Sequence, residues 1–372
     1  MTVLLWIIIG LLLIVLLTTI FNVLTAPVLK NGPSPEKKIP VSVLIPARNE
    51  QANISDCLQS LLKQDYSDME IRVLDDHSTD ETAKIMQSFA ENHSHIKLIR
   101  GKELPAGWTG KNWACHQLAE QAAGEVFIFT DADNRHAGNA VSKTVGWMQK
   151  YRLDLLSAFP QQYTQTLFEK LIVPTVYMTV YSYLPLWFTY FIPHPSLAAA
   201  NGQWLAFNRG AYKRSGGHQT AKNQVVEDTW LARTVKQQGM KTLTTAGTGG
   251  VFARMYQNSS EVWHGFSKNL YGLMGYKMIP AFLMLTLMGL AYILPYVLIV
   301  ILPFMKLVWV ALLLNILIRT SLSLKYKQPF LNVFFHPIAI LLTMIIAVNS
   351  IRLFRKGQLS WKGRTITIEE NP

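Results

Sequence analysis

The first 29 residues carry no charged side chain, and Val3 to Ala26 read as one unbroken apolar stretch. At about 1.5 Å of rise per residue, such a helix spans a hydrocarbon core of about 30 Å. A cleaved leader would want a positively charged start and a shorter apolar run. Here the charges lie on the far side, at Lys30, Lys37 and Lys38, which places the chain after the first span in the cytoplasm. A proline-rich linker, 30–40, follows this anchor, 1–29.

Apolar runs return after Lys277. The blocks are Met278–Met305, Leu307–Ile318 and Pro329–Ile351, the last interrupted by His336-Pro337. The basic stretches flanking that last block cannot both be inside if it spans simply, so it is expected either to re-enter at Pro337 or to break the positive-inside pattern once. A further segment, Leu171 to Asn208, has no ionised residue. Its first part, 171–192, is expected to lie on the membrane surface or beneath the site, because a true span would put the two halves of the polar motifs on opposite sides. The expected layout is a domain at 41–277, membrane helices at 278–351 and a basic cytoplasmic tail at 352–372.

Charged residues make up 16% of the chain and hydrophobic ones 50%, with a formal net charge of +12. The basic residues recur beside the apolar blocks, as at Arg319, Lys325, Arg352, Arg355 and Lys356, which fits anionic lipid headgroups. No recognition motif accompanies the charge, so nucleic acid is not expected as a partner. Cys57 and Cys115 fall in segments read as cytosolic, where a disulfide is not expected.

Between Ile39 and Thr130 short β-branched runs alternate with helical periodicity. Strands are expected at Val41–Ile45, Glu70–Leu74, Ile96–Ile99 and Glu125–Thr130, and helices at Ile54–Gln64, Thr79–Asn92 and Trp113–Ala123. This is an α/β domain with a mostly parallel sheet, in which ligands bind beyond the carboxyl ends of the strands. Polar clusters sit at those ends: Pro46-Ala-Arg-Asn-Glu50, Asp75-Asp76-His-Ser-Thr-Asp80 and Asp131-Ala-Asp133. Each alone reads as a capped strand-to-helix turn; three in succession point to a site. On extended backbone Asp131 and Asp133 would face one cation, and two carboxylates with diphosphate oxygens suit Mg²⁺ or Mn²⁺.

The order PARNE, LDDHSTDET, GK-N, TDAD and VVEDTWLAR resembles the family 2 glycosyltransferases over roughly 39–272. The phrases Gly107-Trp-Thr-Gly-Lys-Asn112 and Trp361-Lys-Gly-Arg364 are most similar to the carotenoid (4,4'-diaponeurosporenoate) and hopanoid-associated members. The resemblance implies a GT-A, Rossmann-like fold with transmembrane helices, in a bacterial cell membrane with the catalytic domain cytoplasmic. It implies an inverting enzyme that moves a hexose, glucose foremost, from a UDP-sugar to a membrane lipid such as a carotenoid or other terpenoid. Transfer to a polyprenyl phosphate or polysaccharide, and a non-catalytic scaffold, are the competing readings.

Position by position, the resemblance assigns Pro46, Arg48, Glu50, Asp76, Lys111 and Asp131 to the nucleotide-sugar, and Asp131 and Asp133 to the metal. Asp228 matches the family's catalytic base, although a helix-capping acid would look the same in isolation. Gly202 and Trp204 are assigned to the acceptor side. The Q-x-x-R-W motif of many relatives is replaced here by Glu261-Val-Trp-His-Gly-Phe-Ser-Lys268, where Trp263 and His264 would take part of its role. Processive synthases hold a growing chain with that motif, so a single transfer is expected.

Overall fold

The computed structural model describes residues 1–361 together with 364 and 365. Residues 362, 363 and 366–372 of the expected basic tail therefore lie outside the described residues, among them Lys362 and Gly363 of the Trp361–Arg364 phrase, whereas 352–355 continue the last long helix. The chain forms two compact units that alternate along the sequence.

In chain order, the helices begin with α1 (Thr2–Thr25), α2 (Ile54–Leu62), α3 (Thr82–Asn92), α4 (Gly110–Gln121) and α5 (Ala140–Tyr151). Next come α6 (Leu167–Tyr183), α7 (Phe188–Phe191), α8 (Arg209–Ser215), α9 (Gly217–Thr220) and α10 (Glu227–Gln237). The series ends with α11 (Ser259–Leu273), α12 (Met278–Tyr292), α13 (Leu294–Ile301), α14 (Lys306–Tyr326), α15 (Leu331–Phe334) and α16 (His336–Arg355). The main sheet is built from β1 (Val41–Ala47), β2 (Met69–Asp75), β3 (Ile96–Arg100), β4 (Val126–Phe129), β5 (Asn134–His136), β6 (Leu155–Gln162), β7 (Leu205–Asn208) and β8 (Thr242–Ala253).

The sheet unit comprises 27–161 and 186–255, with a short antiparallel pair at Ser360–Trp361 and Arg364–Thr365. Its strand order is β3-β2-β1-β4-β7-β6-β8-β5. The first four strands run parallel, whereas β7 is antiparallel to both β4 and β6, and β5 to β8. The sheet is thus mixed rather than mostly parallel. The expected pattern holds for the amino-terminal half, where helical crossovers enforce it.

Alternation along the central strands feeds two cores. Val41, Val43 and Ile45 of β1, with Val126 and Ile128 of β4, join Ile54, Leu58, Leu61, Val141 and Val145 on one face. Leu44, Phe127 and Phe129 point the other way, onto Ala114, Leu118, Leu231 and Val235 of α4 and α10. A strand buried on both faces reads as a near-continuous apolar run, as Val41–Ile45 does apart from the buried Ser42. Pro46 continues β1 opposite Leu74, just past the four-residue ladder with β4, so its missing N–H breaks no bond on that side.

The linker expected at 30–40 is held by the sheet unit. Trp147 Nε1 donates to the Leu29 carbonyl at 3.3 Å, and the Glu36 N–H to Gln149 Oε1 at 2.8 Å. A Cβ on Gly146 would fall 2.0 Å from the Pro33 carbonyl oxygen, so glycine is required for this approach.

The helical unit comprises 1–26, 162–185 and 256–359. Four of its helical segments are long and apolar enough to cross a membrane: Thr2–Thr25, Met278–Ile301, Lys306–Tyr326 and His336–Arg355. Polar side chains tie α1 to α6, where Thr19 Oγ1 donates to Ser182 Oγ at 2.9 Å and Asn22 Nδ2 to the Tyr181 carbonyl at 2.7 Å. His336-Pro337 does not interrupt a helix but opens α16, where a proline in the first turn loses no intrahelical bond. The segment 171–192 is likewise not one helix. A capping box of Thr166 and Glu169 starts α6, which ends at Tyr183, and after Leu184-Pro185 the chain passes to α7 in the sheet unit.

Candidate active site

Lys111 stands between two carboxylates, 2.8 Å from Asp131 Oδ1 and 3.0 Å from Glu227 Oε1. It comes from the first turn of α4, whose cap Thr109 accepts from the Asn112 N–H. Burial alone would pull the ammonium down, but the charges of Asp131 and Glu227 raise it well above the ordinary lysine value. Next to Lys111 in sequence, the buried Asn112 side chain donates to the carbonyls of Ala221, at 2.6 Å, and Gln224, at 2.9 Å. The Gly-Lys-Asn step therefore does two things: it places a cation between acids, and it fixes the loop that leads into α10.

Glu227 and Asp228 occupy the first turn of α10, where free backbone N–H groups favour acids. Asp228 Oδ1 accepts from the Thr229 N–H at 2.6 Å, and Oδ2 from the Gly202 N–H at 2.8 Å. Loss of hydration and the neighbouring Glu227 push its carboxyl up to about 7, against the pull of Lys111 and the two N–H bonds. A Cβ on Gly202 would sit 3.1 Å from Glu227 Oε1, 3.2 Å from Lys111 Nζ and 3.7 Å from Asp228 Oδ2. A side chain here would crowd the three charged groups, so glycine permits their close approach.

Asp131-Ala-Asp133 lies on a turn at the end of β4, not on extended backbone, so alternation of side chains does not set its geometry. A buried polar network does. Thr130 Oγ1 donates to the Gln203 carbonyl at 2.9 Å, and Asn134 Nδ2 donates to the same carbonyl and to Thr130 Oγ1. His136 bridges Thr130 Oγ1 and Ser60 Oγ at 3.0 and 2.9 Å. Burial, with Arg135 nearby, holds its imidazole down to about 3, so it is neutral.

At the ends of β1 and β2, Arg48 donates to the Asp76 carbonyl at 2.5 Å and to that of His77 at 3.2 Å. Asn49 and His77 both adopt positive φ, at 54° and 56°. Their turns interlock, the Thr79 N–H donating to Asn49 Oδ1 at 2.8 Å. Glu50 accepts from Asn53 Nδ2 at 3.0 Å, and its N–H donates to Thr82 Oγ1 at 2.7 Å.

The structure thus brings Lys111, Asp131, Gly202 and Asp228 together and adds Glu227, which the sequence reading passed over although it adjoins Asp228. Trp204 belongs elsewhere. It is fully buried, its Nε1 donating to Thr144 Oγ1 at 2.9 Å and its ring 4.9 Å from that of His136, which makes it a core residue rather than an acceptor wall. Trp263 and His264 are on α11 of the helical unit, half-buried and exposed respectively. Among the described residues no three His, Cys, Asp or Glu side chains converge as a self-sufficient metal site. Asp131 and Asp133 offer hard oxygen donors that fit a cation completing its shell with substrate oxygens.

Residues 42–208 match the family described as Glycosyl transferase family 2. A 4,4'-diaponeurosporenoate glycosyltransferase of Staphylococcus haemolyticus is 28% identical over 241 residues, 62% of this chain and 60% of that protein. The protein of the same name in Staphylococcus aureus (strain USA300) is 27% identical over 240 residues, with the same coverage. The match spans three fifths of those relatives' length. A solved mannosyltransferase from Pyrobaculum calidifontis, in complex with GDP-Man and Mn²⁺, superposes with a TM-score of 0.57 at 16% identity, covering 94% of this chain and 98% of that one. That likeness concerns the fold. Residues 42–208, with the acidic cluster at the strand ends, thus match a family 2 glycosyltransferase domain, on a fold shared with a solved glycosyltransferase.

Proposed function

We propose that this chain transfers a hexose, foremost glucose, from a UDP-sugar to a hydroxyl of a membrane lipid of carotenoid or other terpenoid type, with inversion. The observation that carries the reading is the cluster in which Lys111 bridges Asp131 and Glu227 beside the Gly202–Asp228 hydrogen bond. A carboxyl raised to about 7 is half deprotonated near neutral pH, the poise that suits a general base. Asp228 would take the proton of the acceptor hydroxyl as its oxygen attacks the anomeric carbon and the nucleoside diphosphate leaves. Its two backbone N–H partners fix the carboxylate, and glycine at 202 lets the backbone N–H come close to it.

The donor would lie along the ends of β1, β2 and β4. Arg48 shapes the turn of Asp76, and Pro46, Glu50 and Asp76 frame the nucleotide end. Asp131 and Asp133 would hold Mg²⁺ or Mn²⁺, in keeping with the Mn²⁺ of the mannosyltransferase. When bound, the cation supplies Lewis-acid stabilisation of negative charge on the diphosphate. Lys111, charged and held by Asp131, would be drawn to that diphosphate.

The relatives' name specifies a carboxylate substrate. A carboxylate is already ionised near neutral pH and needs no base. The poise of Asp228 therefore supports a hydroxyl acceptor here. The four span-length helices support a lipid acceptor and a multi-pass membrane location, and the charges at Lys30, Lys37 and Lys38 after the first of them support a cytoplasmic sheet unit.

The test is incubation of the detergent-purified full chain with radiolabelled UDP-glucose, Mn²⁺ and fractionated membrane lipid, followed by mass spectrometry. A single hexose added to a lipid hydroxyl supports the reading. A long polymer, or no UDP release with any lipid fraction, overturns it.

A further inference from the structure

Arg319 lies in the middle of α14, one of the four span-length helices, and is fully buried. Its Nε, Nη1 and Nη2 have no hydrogen-bond partner. Both ring nitrogens of the fully buried His336, at the start of α16, are likewise unpartnered. The titratable groups facing Arg319 are Tyr292, Tyr296 and His336. The Tyr292 ring stands edge-on to that of His336 at 5.0 Å, and its hydroxyl is hydrogen-bonded to that of Tyr183. One turn along α14, the buried hydroxyl of Ser323 is also unpartnered.

Every group of this cluster can donate a hydrogen bond, and the one permanent charge is positive. The guanidinium does not deprotonate in proteins, and a buried unpaired charge is strongly destabilising. The chain supplies no counter-ion locally: residues 278–359 contain neither Asp nor Glu. Elsewhere in the helical unit the carboxylates are Glu169 and Glu261. Glu169 serves the capping box of α6, and Glu261 accepts from Asn258 Nδ2 and the Gln257 N–H at the start of α11. Neither is an ion-pair partner of Arg319.

We propose that Arg319, His336 and the phenols of Tyr292 and Tyr296 form a binding site within the helical unit for the oxyanion, carboxylate or phosphate, of a membrane lipid. The planar fork of Arg319 offers two parallel N–H bonds to such a group, and His336 a third. A lipid rather than a soluble anion fits because the donors sit on segments of membrane-spanning length, where an ionisable side chain marks a functional site. The proposal does not depend on sugar transfer by the other unit.

The experiment is native mass spectrometry of the delipidated full chain in detergent, titrated with dioleoylphosphatidylglycerol, oleate, dioleoylglycerol and inorganic phosphate. The parent is expected to retain phosphatidylglycerol or oleate about tenfold better than Arg319→Gln, and whichever it retains names the oxyanion. Dioleoylglycerol, which has no oxyanion, should be held equally by both, and UDP binding by calorimetry should be unchanged. Arg319→Lys, which keeps the charge and loses the fork, should fall between. Equal retention of anionic lipid by parent and Arg319→Gln overturns the site, and binding of inorganic phosphate alone overturns its assignment to lipid. If Arg319→Gln does not fold, the parent's thermal midpoint decides. It should rise with the anionic lipid and not with dioleoylglycerol, and no such difference overturns the proposal.

Discussion

The backbone N–H of Gly202 donates to Asp228 Oδ2 at 2.8 Å, joining residues 26 apart in sequence. The bond fixes one carboxylate oxygen, and Thr229 fixes the other. Replacing Asp228 by Asn keeps the shape and removes the proton acceptor. Asp228→Asn should lower kcat by about 10²–10⁴ with little change in donor binding, measured by steady-state kinetics and UDP calorimetry. The parent's activity should climb as pH rises through about 7, where the carboxyl loses its proton. Full activity in the variant would remove Asp228 from the base role.

The same shift bears on stability with a definite sign. The Asp228 carboxyl rises from an ordinary 3.8 to about 7 in the folded chain. Between these values the unfolded chain gives up the proton more readily, so folding weakens as pH rises across that window. Asp228→Asn lacks this penalty. The difference in melting temperature, variant minus parent, should grow from pH 5 to pH 8, by an amount corresponding to about 1–4 kcal/mol. A difference independent of pH contradicts the raised value.

Lys111→Met leaves Asp131 and Glu227 without the cation between them. The lysine side chain is only 25% exposed, and the expected loss is about 1–3 kcal/mol by denaturant titration. Lys111 also draws the Asp228 carboxyl downward, so without it the pH–activity midpoint should move to higher pH. An unmoved midpoint would uncouple the two groups.

Asn112 acts through the loop before α10. Asn112→Ala strips the carbonyls of Ala221 and Gln224 of a buried donor. A loss of about 1–3 kcal/mol is expected, with a lower kcat because Glu227 and Asp228 follow that loop. Loss of stability with unchanged kcat would limit Asn112 to folding.

Gly146→Ala tests the docked linker. The new Cβ would meet the Pro33 carbonyl oxygen at 2.0 Å, backbone that has little room to yield. Destabilisation of about 1–3 kcal/mol and easier proteolysis within 30–40 are expected. Unchanged protection of that segment would show that it is not held there.

Much of this was legible in one sequence. Val41–Ile45 is a strand because β-branched and apolar residues suit a doubly covered position, Ile96–Ile99 is one because its apolar residues alternate with an exposed lysine at the sheet edge, and the structure moves their ends by two residues or fewer. The polar clusters fall at the strand ends for the same reason. Other features depend on partners distant in the chain. Lys111 lies between Asp131 and Glu227, an arrangement no spacing announces. The antiparallel half of the sheet needs β7 beside β4, about eighty residues away. The resemblance assigns Trp204 to the acceptor side with Gly202, yet the turn at 202–203 before β7 gives the two different surroundings. The stretch 171–192 was read whole because hydropathy does not register the Leu184-Pro185 break, and proline restricts the residue before it.

The alternation of the two units along the chain limits how the protein can be dissected. Residues 162–185 leave the sheet unit after β6 and return before β7. Removing the first 26 residues and everything after 255 would still leave α6 inside the remaining piece, without α1, α14 and α16 to pack against. The sheet also cannot be finished during synthesis until α6 has emerged, because β7 is made after it. The sheet and helical units are therefore not modules to be cut apart or exchanged at a single junction, and transplanting either would require moving several segments together.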